Sequence, residues 1–120
     1  MMRTLSALFR LMRPHQWLKN VFVFAGLAFG ERVTSTGELQ HVLSIADPID
    51  ILRSTLIAFI AFCLVSGAVY VFNDLKDVEQ DRIHPLKRNR PLAAGEVSPV
   101  FAAIFGIALL AGGLVLAYWL

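Results

Sequence analysis

The sequence has one cysteine, Cys63, and it lies inside an apolar run. A disulfide framework within the chain is therefore impossible, and a small buried apolar side chain is the simplest interpretation of this residue. The sequence also shows no Ser-His-Asp set, no cysteine nucleophile and no glycine-rich phosphate loop. Internal repeats, low-complexity segments and a signal-peptide pattern are missing as well. Any chemistry must come from another kind of residue cluster.

Charged residues are also scarce, at 17% of the chain, whereas hydrophobic residues make up 57%. The mean hydropathy is +0.64, and the apolar residues come in blocks. Such blocks are typical of membrane spans, so we predict an all-α fold, a multi-pass transmembrane helical bundle with about three spans here. Nucleic acid is not expected as a partner, because the cations flank acids and apolar spans; membrane lipids are.

The apolar blocks and the breakers between them divide the chain into five predicted segments. They are an interfacial helix over residues 1–13, a first span over 14–36, a second span over 48–83, a basic loop over 84–98 and a third span over 99–120. The first span is the least apolar, because only residues 21–30 form a continuous apolar run and a spanning helix needs about 20 residues. It must therefore include polar residues at both ends.

The interfacial helix is predicted from an amphipathic pattern. Leu5, Leu8, Phe9 and Met12 share a helical face, and the arginines of the segment lie off it. Such a helix suits the surface of an anionic membrane. An ordinary disordered terminus is the alternative interpretation.

Lysines and arginines number 11 against nine aspartates and glutamates, so the placement of the charges matters more than their sum. Nine of the 11 cations lie in the N-terminal flank and around the loop after the second span, and two lie in the loop after the first span. The positive-inside rule then predicts a cytoplasmic N-terminus and a cytoplasmic basic loop, with Leu120 outside. The expected location is a bacterial plasma membrane.

A cluster of acids lies at the end of the second span, in residues 73–81, NDLKDVEQD. If the helix continues through it, Asn73, Asp77 and Asp81 recur at i, i+4 and i+8 and share one face, with Asp74 at its edge. Like charges at this spacing repel each other, so a face that gathers them favours a bound cation. Oxygen ligands of this kind suit Mg²⁺, which keeps waters and shares itself with substrate phosphates. We therefore predict these four residues as metal ligands.

The alternative for this cluster is a solvated acidic helix end that Lys76 and Arg82 balance. Ionisable residues near membrane depth are costly, which favours a functional site. Glu79 points away from the shared face and provides an internal control.

Basic residues lie on the same side of the membrane as the acids by the charge count. Lys87, Arg88 and Arg90 belong to the basic loop, and Lys19 lies at the mouth of the first span. Lysine and arginine neutralise phosphate oxygens, so these four are the candidate substrate-binding residues. With Mg²⁺ they would stabilise a departing pyrophosphate. Anchoring by the positive-inside rule is the alternative and needs no substrate.

Two stretches resemble a known family. Residues 73–98, NDLKDVEQDRIHPLKRNRPLAAGEVS, are similar to the first aspartate motif, N-D-x-x-D-x-x-x-D, of the UbiA family of intramembrane prenyltransferases. Asn73, Asp74, Asp77 and Asp81 match that motif. The elements KRNRP and RPHQWLKN are similar to a branch of the family that transfers 5-phosphoribose from phosphoribosyl diphosphate to a polyprenyl (decaprenyl) phosphate.

The resemblance implies an all-helical bundle, usually of nine spans, with Mg²⁺ between two aspartate motifs. Asp77 and Asp81 would be the catalytic pair, and the lipid phosphate would attack ribose C1 as pyrophosphate leaves, in a step of cell-wall precursor synthesis. The sequence holds the first motif but not the second. The missing spans of the same enzyme, or an oligomer, would then complete the site.

Two other functions stay open. The same scaffold could transfer a polyprenyl group from a polyprenyl diphosphate to an aromatic acceptor. A chain of about three spans with one motif is also compatible with a small membrane protein without catalysis, which holds a partner or a lipid headgroup.

Overall fold

The computed structural model describes residues 2–45 and 47–120. It is mostly helical, as the sequence predicts, with one short hairpin. The α-helices are α1 (Met2–Leu11), α2 (Ala25–Phe29), α3 (Val42–Ile45), α4 (Pro48–Lys76), α5 (Val78–Ile83) and α6 (Pro99–Tyr118). Two 3₁₀ helices cover Pro14–Phe24 and Lys87–Asn89, and the hairpin consists of β1 (Glu31–Val33) and β2 (Leu39–His41).

Helices α4 and α6 are long and apolar enough to cross a membrane, at 29 and 20 residues and mean hydropathies of 2.3 and 2.6 in their most apolar windows. Only 28% and 22% of those windows are buried. The core helix of a soluble protein would bury most of its surface, so the apolar faces of α4 and α6 suit lipid or further helices. Within residues 2–45 and 47–120, α4 and α6 are the two helices that are long and apolar enough to span, whereas three spans are predicted.

Both long helices begin at a capping side chain that is followed by proline. The Asp47 carboxylate accepts a hydrogen bond from the Ile49 N–H at 2.9 Å, and Ser98 Oγ accepts one from the Phe101 N–H at 3.2 Å. These bonds satisfy N–H groups that have no partner inside a helix. The sequence thus sets where each long helix starts.

Helices α4 and α6 pack closely through glycines. A Cβ on Gly113 would lie 2.6 Å from Val65 Cγ2, and one on Gly106 would lie 3.1 Å from Phe72 Cζ. A larger side chain at Gly113 would force the two helices apart, because part of what it meets is backbone. This contact fixes α6 against the half of α4 that leads to the acidic cluster.

The core lies at the end of the bundle where α4 finishes. It joins α1, α4, α6 and the basic loop through a set of buried apolar residues: Ala7, Leu11, Met12, Ala68, Val71, Leu92, Val97, Ala102 and Leu109. Helix α1 therefore packs on the bundle, while Leu5 and Phe9 stay exposed. The predicted apolar face of α1 is divided, because Met12 enters the core and the exposed side remains available to a membrane surface.

The first predicted span differs from the structure. The sequence predicts one helix over residues 14–36, but helical structure ends at Phe29 and the chain continues into the hairpin, with Glu31 opposite His41 and Val33 opposite Leu39. The apolar run ends at Gly30, and the polar residues after it pair their backbone groups across a turn at Gly37, whose φ is 84°. Whether residues 14–29 cross a membrane stays a prediction.

The structure is helical over residues 48–83, the range of the second predicted span, except at one residue. The helix is interrupted at Asp77, where φ is −98° and ψ is 6°. Backbone hydrogen bonds still run from Asp77 N–H to Asn73 O at 3.0 Å and from Asp81 N–H to Asp77 O at 2.8 Å. Helix α5 then ends at Ile83, as predicted, because His84 precedes a proline and adopts an extended conformation.

Candidate functional site

Two aspartates, Asp74 in α4 and Asp81 in α5, are buried together. Asp74 and Asp81 are each 3% exposed, and both contact the same arginine. Arg90 Nη1 lies 3.5 Å from Asp74 Oδ1 and 3.1 Å from Asp81 Oδ2. The basic loop is thereby attached to the acidic segment through one guanidinium group.

Arg13 provides the second cation of this cluster. Its Nη2 donates to Asp74 Oδ1 at 2.5 Å, and its guanidinium lies 4.8 Å from the centre of the Tyr70 ring. Its backbone is left-handed, with φ 51° and ψ 66°, a conformation that costs a non-glycine residue about 1–2 kcal/mol. The following Pro14 disfavours a helical Arg13, so α1 ends and the chain turns here. Contacts on two sides hold the guanidinium against α4.

The outer half of the motif is separate from this pair. Asn73 is exposed and Asp77 is half-buried, and no ion pair within the described residues involves either. Helix geometry explains the division. Residues 74 and 81 differ by about 20° around a helix, whereas residues 73 and 81 differ by about 80°. A spacing of seven, rather than four, would have identified the pair that is buried together.

The placement of the four motif residues determines what kind of Mg²⁺ site they can form. Within residues 2–45 and 47–120 there is no group of three or more His, Cys, Asp or Glu residues placed to hold a metal ion. A closed protein cage therefore does not fit. Asn73 and Asp77, one helical turn apart and accessible, do fit an ion that keeps waters and shares substrate phosphates. The assignment of all four motif residues as ligands stays a prediction.

The predicted basic residues are placed unequally. Arg90 reaches the buried carboxylates, whereas Lys19, Lys87 and Arg88 are exposed and make no ion pair with any described residue. Their role in substrate binding stays a prediction. Arg13 was not among the predicted site residues. Its place before a proline in RPHQWLKN predicts a turn there but no contact with the motif.

A cavity of about 340 Å³ opens beside the ion pairs, between the N-terminal segment, α4 and the basic loop. Arg10, at its edge, also pairs with Glu96 of the basic loop. The cavity is lined by Arg10, Arg13, His15, Gln16, Asp74, Arg90 and Pro91. Its lining carries three arginines against one aspartate, so it suits an anionic group.

A polar contact farther along the first 3₁₀ helix keeps this segment against α4. Asn20 Nδ2 donates to Ser66 Oγ at 3.3 Å and lies 3.5 Å from Cys63 Sγ. Among apolar neighbours such a contact fixes the register of two helices. It holds Arg13, seven residues earlier, level with Asp74.

The sequence model of the UbiA prenyltransferase family matches residues 21–120. The chain belongs to the UbiA family. It is 37% identical, over 117 residues, to a decaprenyl-phosphate phosphoribosyltransferase of Mycolicibacterium smegmatis, with 96% of this chain and 33% of the relative covered. It is 39% identical, over 109 residues, to the enzyme of the same name from Mycobacterium tuberculosis, with 86% of this chain and 32% of the relative covered.

A more distant UbiA relative carries a different name. The chain is 33% identical, over 115 residues, to a digeranylgeranylglyceryl phosphate synthase of Methanoculleus marisnigri, with 95% of this chain and 34% of the relative covered. The chain thus spans about a third of the length of the curated relatives it matches. Membership of the UbiA family confirms the resemblance found in the acidic motif.

Proposed function

We propose that the protein takes part in catalysing the transfer of 5-phosphoribose from phosphoribosyl diphosphate to a polyprenyl phosphate, such as decaprenyl phosphate, at a membrane. The observation that supports this proposal most is that Arg13 and Arg90 form ion pairs with the UbiA acidic motif at one end of α4. The names of the two phosphoribosyltransferase relatives support the choice of substrates. Because the chain spans about a third of those relatives, we propose that further spans or an oligomer complete the site.

The proposed location is the plasma membrane of a bacterium, with the N-terminus and the basic loop in the cytoplasm. Two contacts support a common side for them, because Arg13 pairs with Asp74 and Arg10 pairs with Glu96. Single cysteines in place of Asn89 and Ser44 test this orientation by labelling in intact cells. Labelling of position 89 from outside would contradict it.

The proposed chemistry uses the chain's own charges. A phosphate oxygen of the polyprenyl phosphate forms a bond to ribose C1, and the bond from C1 to the diphosphate oxygen breaks with its electron pair. Arg90 and Arg13 lie where they can neutralise phosphate oxygens, and Asp74 and Asp81 orient these arginines. We propose Asn73 and Asp77 as the accessible ligands of Mg²⁺, with Asp74 and Asp81 completing the motif. The ion would supply further neutralisation of the leaving diphosphate.

Prenyl transfer is the second candidate function. It is favoured by the names of two relatives, the digeranylgeranylglyceryl phosphate synthase and a protoheme IX farnesyltransferase of Bacillus cytotoxicus that is 37% identical over 71 residues. In this version the departing pyrophosphate comes from a polyprenyl diphosphate. A non-catalytic membrane protein that holds a partner or a lipid headgroup is the third possibility.

A transfer assay separates these functions. Membranes with the protein expressed from its full open reading frame receive labelled phosphoribosyl diphosphate and a polyprenyl phosphate, and labelled lipid is measured. A parallel reaction receives a polyprenyl diphosphate and an aromatic acceptor. We expect label in the lipid of the first reaction only, and its loss on chelation of Mg²⁺. Product in the second reaction alone would replace the proposal by prenyl transfer, and product in neither would favour the non-catalytic alternative.

A further inference from the structure

Helix α1 has apolar residues on two sides, and the bundle covers one of them. Ala7 and Leu11 are fully buried in the core. Met2, Leu5 and Phe9, on the other side, are 86%, 59% and 55% exposed. These three recur at i, i+3 and i+7, so they lie within about 60° of one another around the helix. The exposed side is therefore a continuous apolar surface, which suits a lipid or a protein partner.

A cavity of about 640 Å³ opens along one flank of this exposed side. Arg3 and Arg10 are seven residues apart, so about 20° separates them around α1 and both lie on that flank. Arg10 pairs with Glu96 of the basic loop, whereas Arg3 makes no ion pair with a described residue. The cavity is lined by Met2, Arg3, Thr4, Ser6, Arg10 and Glu96. With two arginines and one acid in its lining, it suits an anionic group.

The neighbours of α1 favour a lipid as the source of that anion. The buried side of α1 packs in one core with Ala68 of α4 and Ala102 of α6, the two helices that are long and apolar enough to cross a membrane. Phe9 lies edge-on to Trp17, with ring centres 5.9 Å apart, and tryptophan is enriched where membranes meet water. An apolar surface bordered by arginines matches a phospholipid, whose acyl chains adjoin a charged phosphate.

We propose that this cavity binds the headgroup of an anionic phospholipid, with Arg3 and Arg10 on the phosphate and the exposed apolar side of α1 among the acyl chains. Glu96 competes with the phosphate for Arg10, so lipid binding also acts on the basic loop. Leu8 and Met12, which belong to the predicted interfacial face, pack on the core instead. The site does not depend on the proposed function. Apart from Arg10, none of its lining residues lines the cavity beside the acidic motif.

A polarity-sensitive fluorophore at position 5 measures the contact of α1 with lipid. The protein from the full open reading frame, with Cys63→Ala and Leu5→Cys, is labelled and placed in nanodiscs of phosphatidylcholine with rising fractions of phosphatidylglycerol. We expect the emission to shift to the blue as the phosphatidylglycerol fraction rises, because the fluorophore moves from water into lipid. High salt should reduce this response, since salt screens the attraction between exposed charges.

An acid and a base of the cavity should have opposite effects on this response. Arg3→Gln removes one cation, so the phosphatidylglycerol fraction that gives half of the full shift should rise roughly fivefold. Glu96→Gln frees Arg10 for the lipid, so the same fraction should fall. Arg82→Gln and Glu79→Gln are the matched controls and should leave it unchanged, because this exposed ion pair lies outside the cavity.

Other occupants of the exposed side of α1 would give other results. A fluorophore that is shielded equally at every lipid composition would indicate a protein neighbour or a second copy of the chain, and would overturn the proposal. The proposal is also wrong if Arg3→Gln leaves the response unchanged, or if Arg3→Gln and Glu96→Gln change it in the same direction. The fluorescence needs no turnover, so a failure of phosphoribose transfer would leave this site standing.

Discussion

Charged side chains surround both ends of helix α4, but the two ends arrange them differently. At the end where α4 begins, the charges are exposed and none of them forms an ion pair with another described residue; they are Glu31, Arg32, Glu38, Asp47, Asp50 and Arg53. At the end where α4 finishes, two carboxylates are buried and two arginines contact them. Burial of a charge is costly unless the charge is paired. The buried, paired charges at the second end therefore indicate a specific site, and the exposed charges at the first end do not.

This contrast predicts a large difference in activity between acids at the two ends. Asp77→Asn and Asp81→Asn should each lower Mg²⁺-dependent transfer at least about 100-fold, the effect of losing roughly 3 kcal/mol of transition-state stabilisation. Asp50→Asn is the control at the other end, and Glu79→Gln is the control inside the motif. Initial rates in membranes with equal protein content measure the effect. Equal losses at Asp77 and Glu79 would show that the helical face does not select the ligands.

The same contrast predicts a difference in stability between arginines. Of the two ion pairs that Asp74 makes with described residues, Arg13→Ala leaves the 3.5 Å contact to Arg90. We therefore expect the free energy of unfolding to fall by about 2–3 kcal/mol. For Arg53→Ala, at the exposed end, the free energy of unfolding should stay within about 0.5 kcal/mol of the wild-type value. Unfolding in detergent, followed by circular dichroism, measures both. A similar loss for the two variants would remove the distinction between the ends.

The stretch between the two ends is tested by a pair of adjacent glycines. A Cβ on Gly113 would lie 2.6 Å from Val65 Cγ2, but one on Gly112 would lie at an ordinary 3.7 Å from Leu64 Cδ1. Gly113→Ala should therefore lower the free energy of unfolding by about 1–2 kcal/mol, and Gly112→Ala should leave it nearly unchanged. The unfolding assay used for the arginines also serves here. A costly Gly112→Ala would place the close approach of α4 and α6 elsewhere.

The smallest expected effect separates two arginines of the basic loop. Arg90 shares one guanidinium nitrogen between two carboxylates, whereas Arg88 is exposed. Arg90→Lys should lower kcat/KM roughly fivefold, because lysine keeps the charge without the fork. Arg88→Lys should resemble wild type, with membrane insertion unchanged in both. Wild-type kinetics in Arg90→Lys would leave membrane orientation as the role of the loop.

Local patterns in the sequence predict much of this fold. Neighbouring residues determine the caps before α4 and α6 and the apolar runs of both helices. They also determine the end of α5 before Pro85. The hairpin was missed because its strands have only three residues each and follow an apolar run that favours a span. Short strands owe their pairing to the turn between them more than to their own composition.

The candidate site was predicted less well than the helices around it. The acidic motif was found, but the burial of Asp74 with Asp81 depends on which side of α4 faces the bundle. Arg13 lies 61 residues from Asp74 in sequence, and no local pattern links them. The contact forms because a turn before Pro14 and the Asn20 contact to α4 place the N-terminal segment beside the motif.

The packing of α1 on the basic loop has a consequence for synthesis of the chain. Arg10 and its partner Glu96 are 86 residues apart, so α1 is made long before its partners in the loop. At usual rates of translation the delay is roughly 4 to 17 seconds. Through that interval the apolar side of α1 needs a temporary surface, and the lipid–water interface provides one. We expect the buried side of α1 to dock on the bundle only after the second long helix begins to emerge from the ribosome, while the exposed side stays at the bilayer surface.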